Sequence, residues 1–282
     1  MTSGVMAAAP SRRYARRMSA TQVQVGSLLR DWRQRRRLSQ LELALDADVS
    51  ARHLSFVETG RSRPSASMVL HLAERLEVPL RERNRMLLAA GHAPAFQSHD
   101  LDEPPMAPVR AAIDLVLAGH DPYPALVVDR AWEMIAANRA VSVLTAAVAP
   151  HLLEPPVNVL RVSLHPDGVA PRIANLAEWR QHLLDRLRRQ IAVTGDPALV
   201  ALLAELETYP APPSPDHDPG QAIAVPLRLR SPQGELAFIS TVATFGTAVE
   251  VTASELAIES FFPADDATAA AVREHVGRLP RT

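Results

Sequence analysis

Two domains of different class are predicted: an all-α bundle of five short helices, then an α+β domain in which helices cover an antiparallel sheet. Three observations carry this. Apolar residues recur at helical spacing, punctuated by capping signals, from residue 24 to 90; alternating strand patterns begin only after residue 120; and a proline-rich stretch lies between. With 282 residues the chain is long enough for two ordinary domains. The expected boundaries are 1–21 (a disordered, Arg-rich arm), 22–92 (the bundle), 93–108 (a linker) and 109–276 (the α+β domain).

In the first helix Val25, Leu28, Leu29 and Trp32 fall at i, i+3, i+4 and i+7, and the run Arg35-Arg36-Arg37 ends it. Ser39 and Glu42 form a capping box that opens a second helix, with Leu41, Ala44 and Leu45 expected inward. Ser50 caps a third helix running through Glu58, and Thr59-Gly60 closes it. A fourth starts at Pro64-Ser65 with Met68, Leu72 and Leu76, and a fifth spans Leu80 to Ala90.

After the linker, residues 109–118 read as helix, "PALVVDR" and "WEMIAAN" as two strands, and 140–148 as helix. Residues 172–206 are helical, with Trp179, Leu183, Leu187 and Ile191 in register, then Leu199, Leu202, Leu203 and Leu206. "AIAVPLRLR" and "ELAFISTVATF" form a hairpin about the turn "SPQG". "VTASELAIESFFPA" carries both a capping box (Thr252, Glu255) and a period-2 face; strand is favoured, because a hairpin alone is marginal.

Net charge of −1 conceals a division. Residues 1–97 hold 16 Arg against 8 acids, and residues 98–282 hold 14 Arg against 23 acids. A basic module that attracts polyanions is joined to one that repels them. The absence of cysteine excludes disulfides and thiolate metal sites. No apolar run is long enough for a membrane span, and "SRRYARRMSA" lacks a following apolar segment, so a cytoplasmic protein is expected.

Two helices joined by a tight turn, the second presenting small and polar residues outward, are the signature of helix-turn-helix. Val49, Leu54 and Val57 lock the third helix to the bundle; Ser50, Ala51, Arg52, Ser55 and Phe56 face outward near its amino end. Arg52 can contact guanine through two hydrogen bonds. Gln40, at the start of the second helix, and Arg61 and Arg63, in the loop after Gly60, are placed for phosphates. Arg61 reads as a sequence-neutral anchor and Glu58 as a structural tie to the loop or an arginine. Phe56 either meets a thymine methyl or fills the bundle edge. The arm at 12–17 is either a solvated tail or a minor-groove element. Against all this, a short bundle with arginines can also be a protein-interaction module.

The stretch from Leu28 to Pro79 resembles the lambda-repressor-like helix-turn-helix of the xenobiotic-response-element family. Arg30, Ser39-Gln40, Leu43-Ala44, Val49-Ser50 and Glu58-Thr59-Gly60-Arg61 before Pro64 carry the resemblance. It implies double-stranded operator DNA as partner, with the helix after the turn in the major groove and Ala51, Arg52 and Phe56 reading bases.

The later order, strand-strand-helix, helices, then strands, is that of a PAS-like sensor. "PALVVDRAWEMIAANRAVSVL" resembles the ligand-binding domain of MmyB-like transcription regulators through Asp129, Trp132, Ile135, Asn138 and Ala140, and "NLAEWRQHLLDRLR" resembles its middle region. Ser231-Pro232 departs from the His-Pro pair common in that family's late hairpin. The resemblance implies a small apolar effector of fatty-acyl type. The candidate lining is Trp132, Ile135, Trp179, Leu183, Phe238, Ile239 and Phe245, each of which reads first as plain core, together with Asn138, which reads first as a helix cap.

No metal site is expected. The ten histidines show no paired spacing on one element, and His217 between two aspartates is the nearest approach. No cofactor is expected, and no nucleophile elbow or Gly-rich phosphate loop suggests an enzyme. The expected function is a ligand-responsive, homodimeric transcription regulator, by preference a repressor. The alternative is a regulator whose second domain is a ligand-free dimerisation or protein-interaction platform.

Overall fold

The computed structural model describes residues 24–212, 225–232, 234–246 and 248–280. The expected arm at 1–21 and His217 lie outside these. Contacts divide the chain into two units, with the boundary between Ala95 and Phe96.

The first unit contains α1 (Val25–Arg35), α2 (Gln40–Asp46), α3 (Ala51–Glu58), α4 (Ala66–Arg75) and α5 (Leu80–Ala89). Local chemistry sets their starts. Ser39 accepts from the Glu42 amide while Glu42 reaches back to the Ser39 amide; Ser50 and Ser65 cap α3 and α4 through the amides of His53 and Met68. The core joins Leu29, Trp32, Leu43, Leu54, Val57, Val69, Leu72, Leu76, Met86 and Leu87. Leu41 and Leu45 do not point inward as expected: they are 59% and 74% exposed, while Leu43, Ala44 and Ala47 are buried. In a seven-residue helix the apolar positions fit more than one stripe, and packing against α1 and α3 selects the stripe through Leu43.

α1 and α3 approach so closely that a Cβ on Gly26 would sit 2.4 Å from the Val57 carbonyl oxygen and 2.6 Å from that of Glu58. Arginines tie the helix ends together. The Arg33 Nη1 donates to the Leu38 carbonyl (2.7 Å), Arg36 Nε to that of Leu76 (2.8 Å) and Arg63 Nε to that of Ala90 (3.0 Å). These bonds satisfy carbonyls left orphaned at helix and loop termini.

The second unit contains α6 (Ala107–His120), β1 (Ala125–Val128), β2 (Met134–Ala137), α7 (Ser142–Thr145), α8 (Val159–Leu164), α9 (Leu176–Thr194) and α10 (Pro197–Glu207). Then come β3 (Leu227–Ser231), β4 (Gly234–Thr244), α11 (Val251–Ser254), β5 (Ala257–Pro263) and α12 (Asp266–Gly277). The strands form one five-stranded sheet in the order β2-β1-β5-β4-β3, antiparallel throughout. The antiparallel sheet covered by helices agrees with the expected class, but β5 does more than complete the hairpin: it joins the hairpin to β1 and β2.

Both readings of residues 251–263 are realised in sequence. Glu250, rather than Thr252, caps the short α11, and the strand follows. The β5 strand is central and uses both faces. Ile258 packs with Ile113 and Leu117 of α6, whereas Phe261 joins the main core with α8, α9 and α10. The expected helix over 140–148 shrinks to a 3-10 turn and α7, since Ala147 takes a positive φ of 68°. Gly195, at φ 62°, ends α9 and separates it from α10. The helices α8 and α12 were not anticipated.

The expected linker is anchored over part of its length. The Val251 amide donates to the Gln97 carbonyl (2.9 Å), the His99 amide to Glu250 (2.8 Å), and the Thr252 hydroxyl to the His99 carbonyl (2.7 Å).

Candidate nucleic-acid interface and apolar cavity

α3 buries Leu54, Val57 and Glu58 and leaves Arg52 exposed, with Ala51, Ser55 and Phe56 half-buried at the surface. The Arg52 guanidinium lies 5.4 Å from the centre of the Phe56 ring, and that of Arg61 lies 6.0 Å from the same centre. Phe56 is thus flanked by two cations, neither of which donates a hydrogen bond among the described residues. Its backbone carbonyl also accepts from the amides of Arg61 and Ser62 (2.8 and 3.0 Å), which folds the loop back against the helix. One residue therefore positions both a base-reading candidate and a phosphate candidate.

The remaining candidates are committed to the protein in varying degree. Gln40 donates one of its two Nε2 hydrogens to Glu58 (2.8 Å), which leaves the other for a phosphate. Ser50 uses its hydroxyl oxygen as the α3 cap. Arg63 spends its Nε on the end of α5, lying across Gly91. The structural reading of Glu58 fits the geometry: Arg33 donates to both its oxygens at 2.7 and 2.9 Å, with the two side chains 9% and 1% exposed. Burial pushes the Glu58 carboxyl up, but hydrogen bonds from Arg33 and Gln40 and the charge on Arg33 outweigh it and hold the group below the usual carboxylate range.

In the second unit a partly open cavity of about 70 Å³ lies between the sheet and the helices. Leu126, Met134 and Phe261 contribute from the sheet, Leu160 and Val162 from α8, and Trp179 and Leu183 from α9. Only Trp179 and Leu183 of the expected lining reach it. Trp132 is buried beside the cavity but outside its wall, with its indole N–H on Gln190 (2.7 Å) and the Arg186 guanidinium 4.4 Å from its ring centre. Phe238 is wholly enclosed in the core outside the cavity wall, and Phe245 packs in the separate cluster beneath α6. Ile135 and Ile239 face outward, 41% and 44% exposed.

Asn138 stands at the N-cap position of the 3-10 turn Arg139–Val141 but makes no capping bond through its side chain, and it does not line the cavity. Its Oδ1 accepts from the Ala125 amide (3.1 Å) and its Nδ2 donates to the Tyr123 carbonyl (2.7 Å), fixing the entry to β1. Asp129 likewise builds the β1–β2 turn, accepting from the amides of Ala131 and Glu133.

Sequence reasoning missed Glu259. This carboxylate lines the otherwise apolar cavity and receives Arg186 Nη1 at 3.0 Å, with side-chain exposures of 7% for Glu259 and 21% for Arg186. Burial raises its carboxyl above the ordinary range, against the opposing charge and hydrogen bond of Arg186. Its signal was a charged residue inside the apolar run "LAIESFF".

The fold also gathers His151, His165 and Asp167, whose ligand atoms lie within 4.8 Å of one another. Spacing within one element could not reveal a grouping assembled from separate turns. No described helix is long and apolar enough to cross a membrane.

Comparison with known proteins gives two family matches, one in each half of the chain. The family pattern for an MmyB-like transcription regulator ligand binding domain matches residues 109–274, and a helix-turn-helix pattern matches residues 29–83. None of the curated proteins matches. A solved structure of an RNA-binding light-oxygen-voltage receptor shares 16% identity at a TM-score of 0.24, a likeness too slight to carry an argument. The match covers 94% of this chain and 65% of that one.

Proposed function

The chain belongs to the MmyB-like transcription regulators, with a helix-turn-helix ahead of the ligand-binding domain, and from that premise we propose an effector-responsive repressor that reads its operator with α3. The observation that carries the reading is the layer formed by Arg52, Phe56 and Arg61 on the exposed side of α3. Arg52 is the base reader, by two hydrogen bonds to a guanine edge, and Arg61 holds a phosphate. Phe56 acts first as the platform that steadies both guanidinium groups, through cation–π attraction. Ala51 and Ser55 provide the close, small surface beside them. The basic sign of residues 1–97 supports the same assignment.

The effector is a small, largely apolar molecule held between the sheet and α8 and α9. A cavity of about 70 Å³ is well below the usual size of a ligand site, roughly 300–1,000 Å³. A fatty-acyl chain therefore requires these helices to move outward. That supplies the means of regulation: an effector that binds the expanded state better than the collapsed one shifts the population between them. The protein works as a homodimer in the cytoplasm, on half-sites roughly 34 Å apart. The exposed cross-strand pair Ile239 and Phe262 supports a subunit contact on the sheet.

Selection of bound duplexes from a random pool, followed by sequencing, tests the operator reading. A single recurrent half-site that loses one base preference in Arg52→Ala supports it, and recovery of no preferred sequence refutes it. Native mass spectrometry of the purified full chain tests the effector reading. A retained apolar ligand supports it; failure of lipids and small metabolites to bind favours the alternative of a ligand-free platform.

A further inference from the structure

Glu259 is the one ionisable side chain in the cavity wall among the described residues. It sits on β5 between Leu126 of β1 and Val242 of β4, its cross-strand neighbours. Taking a carboxylate out of water is costly unless its oxygens are well satisfied. Two other Arg–Glu pairs satisfy both oxygens: Arg33 on Glu58 at 2.7 and 2.9 Å, and Arg161 on Glu205 at 2.7 and 2.7 Å. The Glu259 pair does not. Arg186, stacked against Trp132, donates from Nη1 to Oε1 alone, and no donor reaches Oε2 among the described residues.

The other polar side chains in the wall are two hydroxyls, each with one hydrogen bond made inside the protein and neither carrying charge. Ser163 accepts from the Trp179 indole (3.0 Å), and the Thr145 hydroxyl donates to the Val141 carbonyl (3.3 Å). The cavity thus presents an apolar surface interrupted by two neutral hydroxyls and by one charged acceptor, Glu259, whose second oxygen the protein leaves open.

We infer that Glu259 selects the effector: an apolar molecule bearing a hydroxyl, amide or amine donor, in preference to one bearing an ionised carboxylate. This rests on the effector reading above and narrows it. A donor on the ligand completes the carboxylate's coordination, as water would outside. A ligand carboxylate brings a second anion to the same oxygen, and the one guanidinium beside it is already shared. The charge-assisted bond is worth a difference on the order of tenfold or more in affinity.

The test compares 1-hexanol, hexylamine and hexanoate at pH 7 against the full chain, with cyclohexane as a donor-free apolar probe, by ligand-observed NMR titration. The expected result is that hexanol and hexylamine bind on the order of tenfold tighter than hexanoate. In Glu259→Gln, which keeps the shape and removes the charge, the preference over hexanoate falls several-fold while cyclohexane binding is unchanged. Circular dichroism confirms that this variant is folded; should it not fold, the wild-type ranking alone decides. Equal binding of all probes, or tighter binding of hexanoate, overturns the role of Glu259 but leaves the apolar pocket standing. Binding of no probe, cyclohexane included, overturns both.

Discussion

Replacing Arg33 by methionine leaves Glu58 as an unpaired carboxylate in a site where its side chain is 1% exposed. Two charge-assisted hydrogen bonds to Glu58, at 2.7 and 2.9 Å, and the Nη1 bond to the Leu38 carbonyl are lost together, and the Gln40 amide at 2.8 Å is the donor that remains to Glu58 among the described residues. Removing one partner of a buried pair costs about 3–5 kcal/mol, since the stranded charge stays buried. Retained donation from Gln40 and relaxation toward solvent favour the lower end, so about 3 kcal/mol is expected. For a unit of this size each kcal/mol lowers Tm by roughly 4–8 °C, so the first unit should melt at least about 12 °C earlier. Differential scanning calorimetry of the full chain, with the helical signal followed by circular dichroism, reads this shift. The double variant R33M/E58M replaces the pair with apolar side chains and should recover most of the loss, because neither charge is then stranded. A shift below about 5 °C in R33M, roughly 1 kcal/mol, would refute the claim that this pair holds α1 to α3. A double variant as unstable as the single one would show that shape rather than charge is at stake.

Other outcomes follow from the same structure. Glu58 titrates below the ordinary carboxylate range when folded, so its contribution is present above the unfolded value and lost as pH falls through the folded one. The Glu58→Gln chain should accordingly lose less stability than wild type on acidification from pH 5 to 3, and parallel acid curves would contradict this. Gly26→Ala forces a Cβ to 2.4 Å from the Val57 carbonyl oxygen, and the α1–α3 contact should weaken by about 2 kcal/mol in urea melts. Arg61→Ala should weaken all DNA sequences alike and reduce the salt slope by about one. Arg52→Ala should instead cost about 1–3 kcal/mol on operator and little on random duplex. Phe56→Ala should do some of both in the same fluorescence-anisotropy titrations, and an effect confined to one base pair would favour a thymine contact over the platform.

The first unit was legible because its instructions are local. Ser39 with Glu42, Ser50, Ser65 and Gly60 mark helix ends within three or four residues of where they act, and the structure uses them as expected. Leu41 and Leu45 were misassigned because the inward stripe of a seven-residue helix is chosen by neighbours distant in sequence. The same limit is larger in the second unit. Period and residue type identified Trp132, Trp179, Leu183 and Phe238 as interior, and all four are buried. Whether an interior side chain borders a void depends on how β1, β5, α8 and α9 meet across more than a hundred residues, and only Trp179 and Leu183 do. Asn138 was legible as polar and constrained, yet its partners, Tyr123 and Ala125, lie upstream rather than in the following turn. Glu259 was visible as an oddity in an apolar strand, but its meaning required Arg186, which lies on another element.

The guanidinium bonds at the helix ends have a consequence for the duplex. With α3 fixed against α1 at Gly26, and the carbonyls of Leu38, Leu76 and Ala90 each held by an arginine, the reading surface proposed for α3 has little slack to adjust its angle of entry. A stiff reader leaves the bending to its template. The operator is then expected to carry sequence preference at base pairs no side chain touches, where easily deformed steps lower the elastic cost of meeting the protein.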